Sequence, residues 1–184
     1  VQVKVPDGKQ FYDPAQQFNR ELTMLLIKAF FDRGRPVKKK GDGIRVLDTF
    51  ASSGLKAIRL ARELDFVDTV VANAPDPHPV ELIKNNVELN AAKDKNVRWI
   101  VEPHQGTAQG TMYKSLTLGK PFHVIDLDCN GFATPHFDIA VQSVADRGLL
   151  FVTCTDLSIL CATSPGTCFA RYGGLPVKGE ACHE

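Results

Sequence analysis

Apolar residues along the chain fall into two rhythms, one of helical spacing and one of short continuous runs, and the two alternate from end to end. Asp13-Pro14-Ala15-Gln16 reads as a helix start: Asp13 caps, Pro14 suits the first helical position and Gln16 completes a capping-box spacing. The helix is expected to reach about Phe31, with Phe18, Leu22, Leu25, Leu26 and Phe30 forming one buried stripe. Beyond it, Ile44 to Leu47 is a short apolar run ending at Asp48. A turn of small residues follows, Ala51-Ser52-Ser53-Gly54, and then a helical pattern through Leu55, Ile58, Leu60 and Leu64.

This strand, turn and helix unit repeats. Thr69 to Ala72 precedes a helix from about Pro79 to Leu89; Val97 to Val101 precedes a weaker one around Met112; Phe122 to Asp126 precedes one from Pro135 to Val144. Leu149 to Cys154 supplies a fifth strand. Strands and helices that alternate over short connections predict parallel strands joined by right-handed crossovers. The expected fold is therefore α/β, an open, mostly parallel sheet with helices on both faces. In such sheets ligands bind beyond the carboxyl ends of the strands, where strand order reverses.

Composition adds bounds to this picture. With 184 residues, 43% of them hydrophobic, the chain can bury the core of one soluble domain. No run approaches the roughly 18 apolar residues of a membrane span, and no leader opens the chain, so an intracellular protein, cytoplasmic or nuclear and without a membrane partner, is expected. Five cysteines, odd in number and without a C-x-x-C pair, fit reduced thiols. Val1 and the closing Ala181 to Glu184 look like cut ends, which suggests a fragment. The net charge of +1 does not advertise nucleic-acid binding. One basic cluster, Arg33, Arg35, Lys38, Lys39 and Lys40, is either a solvated linker or a place to meet phosphates. His104, His123, His136, His183 and Cys182 show no doubled ligand spacing, so no metal site is expected. Oligomeric state is not readable from these features.

Three strand ends offer chemistry. Ser52, Ser53 and Gly54 allow close approach of a ligand to backbone N–H groups at a helix start, but the turn lacks the G-x-G-x-x-G that a pyrophosphate wants; a cofactor without phosphates fits better. Asp48 either meets the charged end of such a cofactor or caps its own loop. At the fourth strand end, Asp126 and Asp128 are two residues apart and so share one side of the strand. Asp128 can orient an exocyclic amine and accept its proton, although Asp, Asn and Gly also favour an ordinary turn there. At the fifth, Thr155 and Asp156 line the same cleft or, more simply, cap the next helix.

Two longer stretches carry a resemblance. Phe11-Tyr12-Asp13-Pro14-Ala15-Gln16-Gln17-Phe18-Asn19-Arg20-Glu21-Leu22-Thr23 and Ala51-Ser52-Ser53-Gly54-Leu55-Lys56-Ala57-Ile58-Arg59 are similar to the opening motif and cofactor loop of the tRNA guanine-26 N2-dimethyltransferases. Gly148 to Leu157, Arg171-Tyr172-Gly173 and the segment from Ala181 to Glu184 resemble the same family, in the right order. The resemblance implies a class I, Rossmann-like methyltransferase that uses S-adenosylmethionine to methylate the exocyclic N2 of a tRNA guanine. It also implies a domain at 44–184 that stops before the final strands and a carboxy-terminal domain, with the helix and basic loop of 1–43 packed on it. Carried over by position, Asp128 becomes the catalytic carboxylate. Arg20, Ser52, Ser53, Gly54 and Lys56 become cofactor contacts, with Asp48 and Asp126 on the cofactor side, and Phe11 holds the guanine ring.

Departures from the family pattern fall at the same places. Ala74 stands where a carboxylate meets the ribose, with Asp76 two residues on as a displaced substitute; Thr107, next to Ala108, replaces an adenine-side Asp; Lys56 replaces an Arg and loses its planar fork. Cys129 and Asn130 replace a proline and a stacking aromatic, leaving Phe132 as the nearest ring. These changes keep open two alternatives, an impaired family member that binds tRNA or a partner, and a class I methyltransferase with another substrate.

Overall fold

A computed structural model of the protein describes residues 1–5, 12–32, 43–129, 131–161 and 164–177. Phe11, the basic cluster at 33–40, Asn130 and the segment 181–184 with Cys182 and His183 lie outside the described residues.

Five strands make one parallel sheet: β1 Ile44–Asp48, β2 Val67–Ala74, β3 Val101–Gln105, β4 Phe122–Cys129 and β5 Val144–Cys154. Their order is β3-β2-β1-β4-β5, so the order in which strands are added reverses between β1 and β4. The helices are α1 Gln17–Phe31, led by a 3-10 turn at Pro14–Gln16, α2 Leu55–Glu63, α3 Pro77–Ala91, α4 Asn96–Ile100, α5 Ala108–Thr117, α6 Thr134–Ser143, α7 Leu157–Leu160 and α8 Pro165–Tyr172. No helix among the described residues is long and apolar enough to cross a membrane.

Strand alternation splits the core into two layers. Val46, Val70, Ala72 and Val124 point to one face and pack with Met24, Ile27 and Phe31 of α1, Ile58 and Leu60 of α2 and Ile83 and Val87 of α3. Leu47, Val71, Ile125 and Leu127 point to the other and pack with Met112 of α5 and Ile139 and Ala140 of α6. Burying these side chains on both faces supplies the main drive to fold, about 1.5–3 kcal/mol for each large one.

Three expectations from the sequence are corrected. On α1, Phe18, Leu22, Leu25, Leu26 and Phe30 face outward, while Met24, Ile27 and Phe31 are buried. The helix is apolar on both sides; the narrower stripe packs into the core with Val46, Ile58 and Leu60, and Glu21 forms a two-pronged pair with Arg59 of α2 at 2.7 and 3.0 Å. The third strand begins at Val101, not Val97: Asn96 to Ile100 is a helical turn, and Glu102, Pro103, His104 and Gln105 form an edge strand that needs no continuous apolar run. The fifth strand begins at Val144, five residues earlier than its apolar core suggested, and pairs with β4 across an irregular register near Phe122.

Candidate active site

The reversal of strand order places the carboxyl ends of β1 and β4 side by side, with Asp48 in register with Asp126. The turn after β1 is built to approach this point. Gly54 starts α2 at φ 76°, and a Cβ there would lie 3.1 Å from Ile83, so only glycine fits without strain. The Ser53 carbonyl, held by Asn86 Nδ2 at 2.9 Å, fixes the turn against α3.

From the first turn of α2, Lys56 returns to the strand ends. Its Nζ lies 2.6 Å from Asp126 Oδ2 and 3.2 Å from Asp128 Oδ2, so the two aspartates do share one side, as alternation requires. Lys56 and Asp126 are nearly enclosed, whereas the Asp128 side chain keeps 31% exposure. Burial opposes the Lys56 charge, but Asp48, Asp126 and Asp128 more than offset it and hold its pKa above the ordinary lysine value. Burial likewise raises Asp126, against the pull of Lys56.

Asp48 is 1% exposed, and neither of its carboxylate oxygens has a hydrogen-bond partner; Thr49 Oγ1 beside it is also buried without one. Burial pushes the Asp48 carboxyl up to about 7, with Lys56 pulling it down and Asp126 and Asp128 adding to the rise. An unsatisfied buried carboxylate costs stability, and such strain collects at sites that receive a ligand. It does not cap its own loop: the capping alternative for Asp48 has no bond to support it. Next to Asp128, the Cys129 thiol is raised to about 11, chiefly by burial, and so stays protonated and without nucleophilic force at neutral pH.

The remaining candidates are more scattered. Ala74 is buried at the end of β2, and Asp76 sits exposed at the N-cap of α3 without a capping bond. Thr107 is the N-cap of α5, its hydroxyl accepting from Gly110 N–H at 3.1 Å, and Ala108 is buried behind it. Arg20 donates to the Asp13 carbonyl at 3.0 Å and lies over the Tyr12 ring at 5.1 Å. Ser52 holds φ at 47° within the turn. Asp156 is corrected: it occupies the N-cap position of α7 but makes no capping bond, because Arg171 Nη1 at 2.8 Å and Tyr172 OH at 3.0 Å take its Oδ2. Phe132 is half-buried under the Arg171 guanidinium, 4.4 Å from its ring centre.

One residue left only a faint sign of its role in the sequence. Asn73, fully buried in β2, donates to the carbonyls of Thr49 and Gly106 at 3.0 Å each and accepts from Thr111 Oγ1 at 2.9 Å. His104 Nδ1 also lies 2.9 Å from its oxygen; burial lowers the histidine pKa, so the neutral ring with a proton on Nδ1 completes the knot. The one signal was an amide inside an otherwise apolar strand interior, since a buried amide must find partners.

Comparison with known proteins decides what this cleft belongs to. The sequence profile of the N2,N2-dimethylguanosine tRNA methyltransferases matches residues 1–184. The chain belongs to that family. It is 38% identical over 198 residues to a Caenorhabditis elegans tRNA (guanine(26)-N(2))-dimethyltransferase, covering 96% of the chain and 37% of the relative. A Methanothermobacter thermautotrophicus relative of the same name is 35% identical and is matched over 100% of the chain and 46% of its own length. Among solved structures, Trm1 from Pyrococcus horikoshii in complex with S-adenosyl-L-methionine superposes with a TM-score of 0.80 at 28% identity, covering 100% of the chain and 48% of the larger protein. The chain thus spans between a third and a half of the length of these relatives. A more distant neighbour, the M. jannaschii tRNA m1G37 methyltransferase, at 18% identity and a TM-score of 0.56, shares the fold over 79% of this chain and 38% of its own. The fold is that of the class I, Rossmann-like methyltransferases.

Proposed function

We propose that this dimethyltransferase-family chain binds S-adenosylmethionine across the ends of β1 to β4 and transfers its methyl group to the exocyclic N2 of a guanine in tRNA, at position 26 as in the names of its relatives. The observation that carries the reading is the meeting of Lys56, Asp126 and Asp128 with the orphaned Asp48 at the point of strand reversal.

The residues present suit that cofactor. Asp48, with both oxygens free, would accept its ammonium end, and Thr49 Oγ1 adds a second unused polar atom. Ser52, Ser53 and Gly54 would lie against it with backbone groups and no phosphate cradle, while Thr107 and Ala108 would border the adenine side and Arg20 and Asp76 the outer rim. When bound, S-adenosylmethionine supplies a methyl made electrophilic by the sulfonium centre.

The protein's own part is orientation and proton handling. Lys56 occupies Asp128 Oδ2, which leaves Oδ1 to accept a hydrogen bond from the guanine N2 and then its proton. The same ion pair holds the Asp128 side chain in one rotamer, and a fixed acceptor aims the amine. Phe11 would hold the ring, as aromatic faces do for an extruded base.

Calorimetric titration with S-adenosylmethionine and S-adenosylhomocysteine, followed by methyl transfer to tRNA, tests the reading. Saturable binding and N2-methylguanine are expected; absence of both sinks it. A second reading, a family member with weakened cofactor affinity, draws on one observation: the β2 end presents the buried methyl of Ala74, with the nearest carboxylate, Asp76, exposed at the α3 N-cap. Binding that appears only in Ala74→Asp selects it.

A further inference from the structure

A second side-chain assembly stands beside the β4 end and takes no part in the Lys56 group. Gly131, at φ 112°, donates its N–H to Thr155 Oγ1 at 2.9 Å, and the Thr155 N–H donates back to the Gly131 carbonyl at 3.1 Å. These two bonds continue the β4–β5 pairing, in which Asp128 faces Thr153, past the end of the sheet. Phe132 and Asp156, the next residues on each side, therefore follow directly on the paired ends of β4 and β5.

Asp156 is 8% exposed and anchors two donors on one oxygen, Arg171 Nη1 and Tyr172 OH. The guanidinium of Arg171 is therefore held at one nitrogen by a carboxylate and on one face by the Phe132 ring, 4.4 Å away. A long, rotamer-rich side chain is fixed in plane and orientation, yet a third of it remains exposed. A partly exposed ion pair gives little stability by itself. Held this way, and a third exposed, the flat fork has N–H donors beyond the one that Asp156 takes, just past the end of β5, the strand paired with β4.

We propose that Arg171 reads the O6 and N7 edge of the target guanine while the opposite edge offers N2 to Asp128. Guanine presents two acceptors, O6 and N7, on one edge and its N2 amine on the other, so one purine lying in the plane of the guanidinium satisfies both ends. Adenine is rejected by the same device, because its N6 amine would confront a donor with a donor. Phe132 and Asp156 are positioning residues in this scheme: the ring sets the plane and the carboxylate sets the rotation. The proposal rests on the guanine-methylation reading and adds the residue that chooses the base.

The test uses tRNA with guanine, 7-deazaguanine or 2-aminopurine at the methylated position, all of which keep the N2 amine while the second loses N7 and the third O6 as acceptors. Equilibrium binding and kcat/KM are measured for wild type, Arg171→Lys and Phe132→Leu, with thermal melts to confirm folding. Wild type is expected to favour guanine over each analogue by roughly ten- to hundredfold. Arg171→Lys keeps the pairing with Asp156 but loses the planar fork, so this preference is expected to shrink to about twofold; Phe132→Leu is expected to reduce it in the same direction. Wild type that treats the three RNAs alike, or a preference unchanged in both variants, overturns the assignment of Arg171. Wild type that binds no cofactor and methylates none of them overturns the functional reading, and the assignment with it.

Discussion

Lys56 Nζ stands 2.6 Å from Asp126 Oδ2, and together they are almost sealed from solvent where the strand order reverses. The pair joins the start of α2 to the end of β4, and the second bond of Lys56, to Asp128, strengthens the same tie. Replacing Lys56 by Met is expected to cost about 3–5 kcal/mol, since it leaves buried carboxylates without a cation. Urea denaturation checks it, and the loss is expected to be smaller at pH 5 than at pH 8 because Asp48, raised to about 7, holds its proton there. Lys56→Arg keeps the charge and is expected to recover most of the stability.

Asp48 sets stability against function. Its carboxyl titrates near 7 in the folded chain and in the ordinary carboxylate range, near 3.8, when unfolded. The folded state therefore holds the proton more tightly, and the associated stability is full below the unfolded value and lost as pH rises through about 7. Asp48→Asn is expected to flatten this loss, leaving the variant more stable than wild type at pH 8 by a few kcal/mol, at about 1.4 kcal/mol for each tenfold difference in proton affinity between the folded and unfolded chain. Its affinity for S-adenosylmethionine is expected to fall at least tenfold. Melting curves from pH 4 to 8, paired with calorimetry, read both signs; a variant that loses stability at pH 8 contradicts the account.

Asn73→Ala is expected to destabilise the protein by roughly 2–4 kcal/mol, although it removes no charge and few apolar atoms. The cost comes from the Thr49 and Gly106 carbonyls and the Thr111 hydroxyl, which lose their partner in a dry interior. Chemical denaturation measures it. A loss below about 0.5 kcal/mol would mean water replaces the amide.

The register of α1 is tested by two substitutions on opposite faces. Ile27→Ala is expected to cost about 2–5 kcal/mol, as for a large residue in a closed core. Phe18→Gln, on the outward face, is expected to change stability by no more than about 0.5 kcal/mol, and thermal melts of the two variants compare the faces.

Much of this architecture was legible from spacing alone. Ile44 to Leu47 and Phe122 to Asp126 are central strands buried on both faces, so their apolar runs stand out. The same runs led directly to Asp48, Asp126 and Asp128. Edge elements were harder. At β3 one side of the strand meets solvent, so Glu102, His104 and Gln105 gave no apolar signal and the run from Val97 drew the strand four residues early. In α1, apolar residues on both faces left periodicity undecided, and tertiary contacts chose the narrower stripe. Long-range polar partners such as Asn73 with Gly106, or Asp156 with Arg171, have no period in sequence at all; the first become neighbours only when β2 and β3 pair, the second only when α8 packs beside α7.

The Asn73 amide has a mechanical consequence. Because one side chain grips the carbonyls of both Thr49 and Gly106, the loop after β1 and the loop after β3 cannot open separately without drying out an acceptor. The two walls of the cleft therefore breathe as one part, and amides along both loops should share a single hydrogen-exchange protection rather than two. The tie is neutral, so added salt that weakens the lysine and its carboxylates leaves this hinge pin in place.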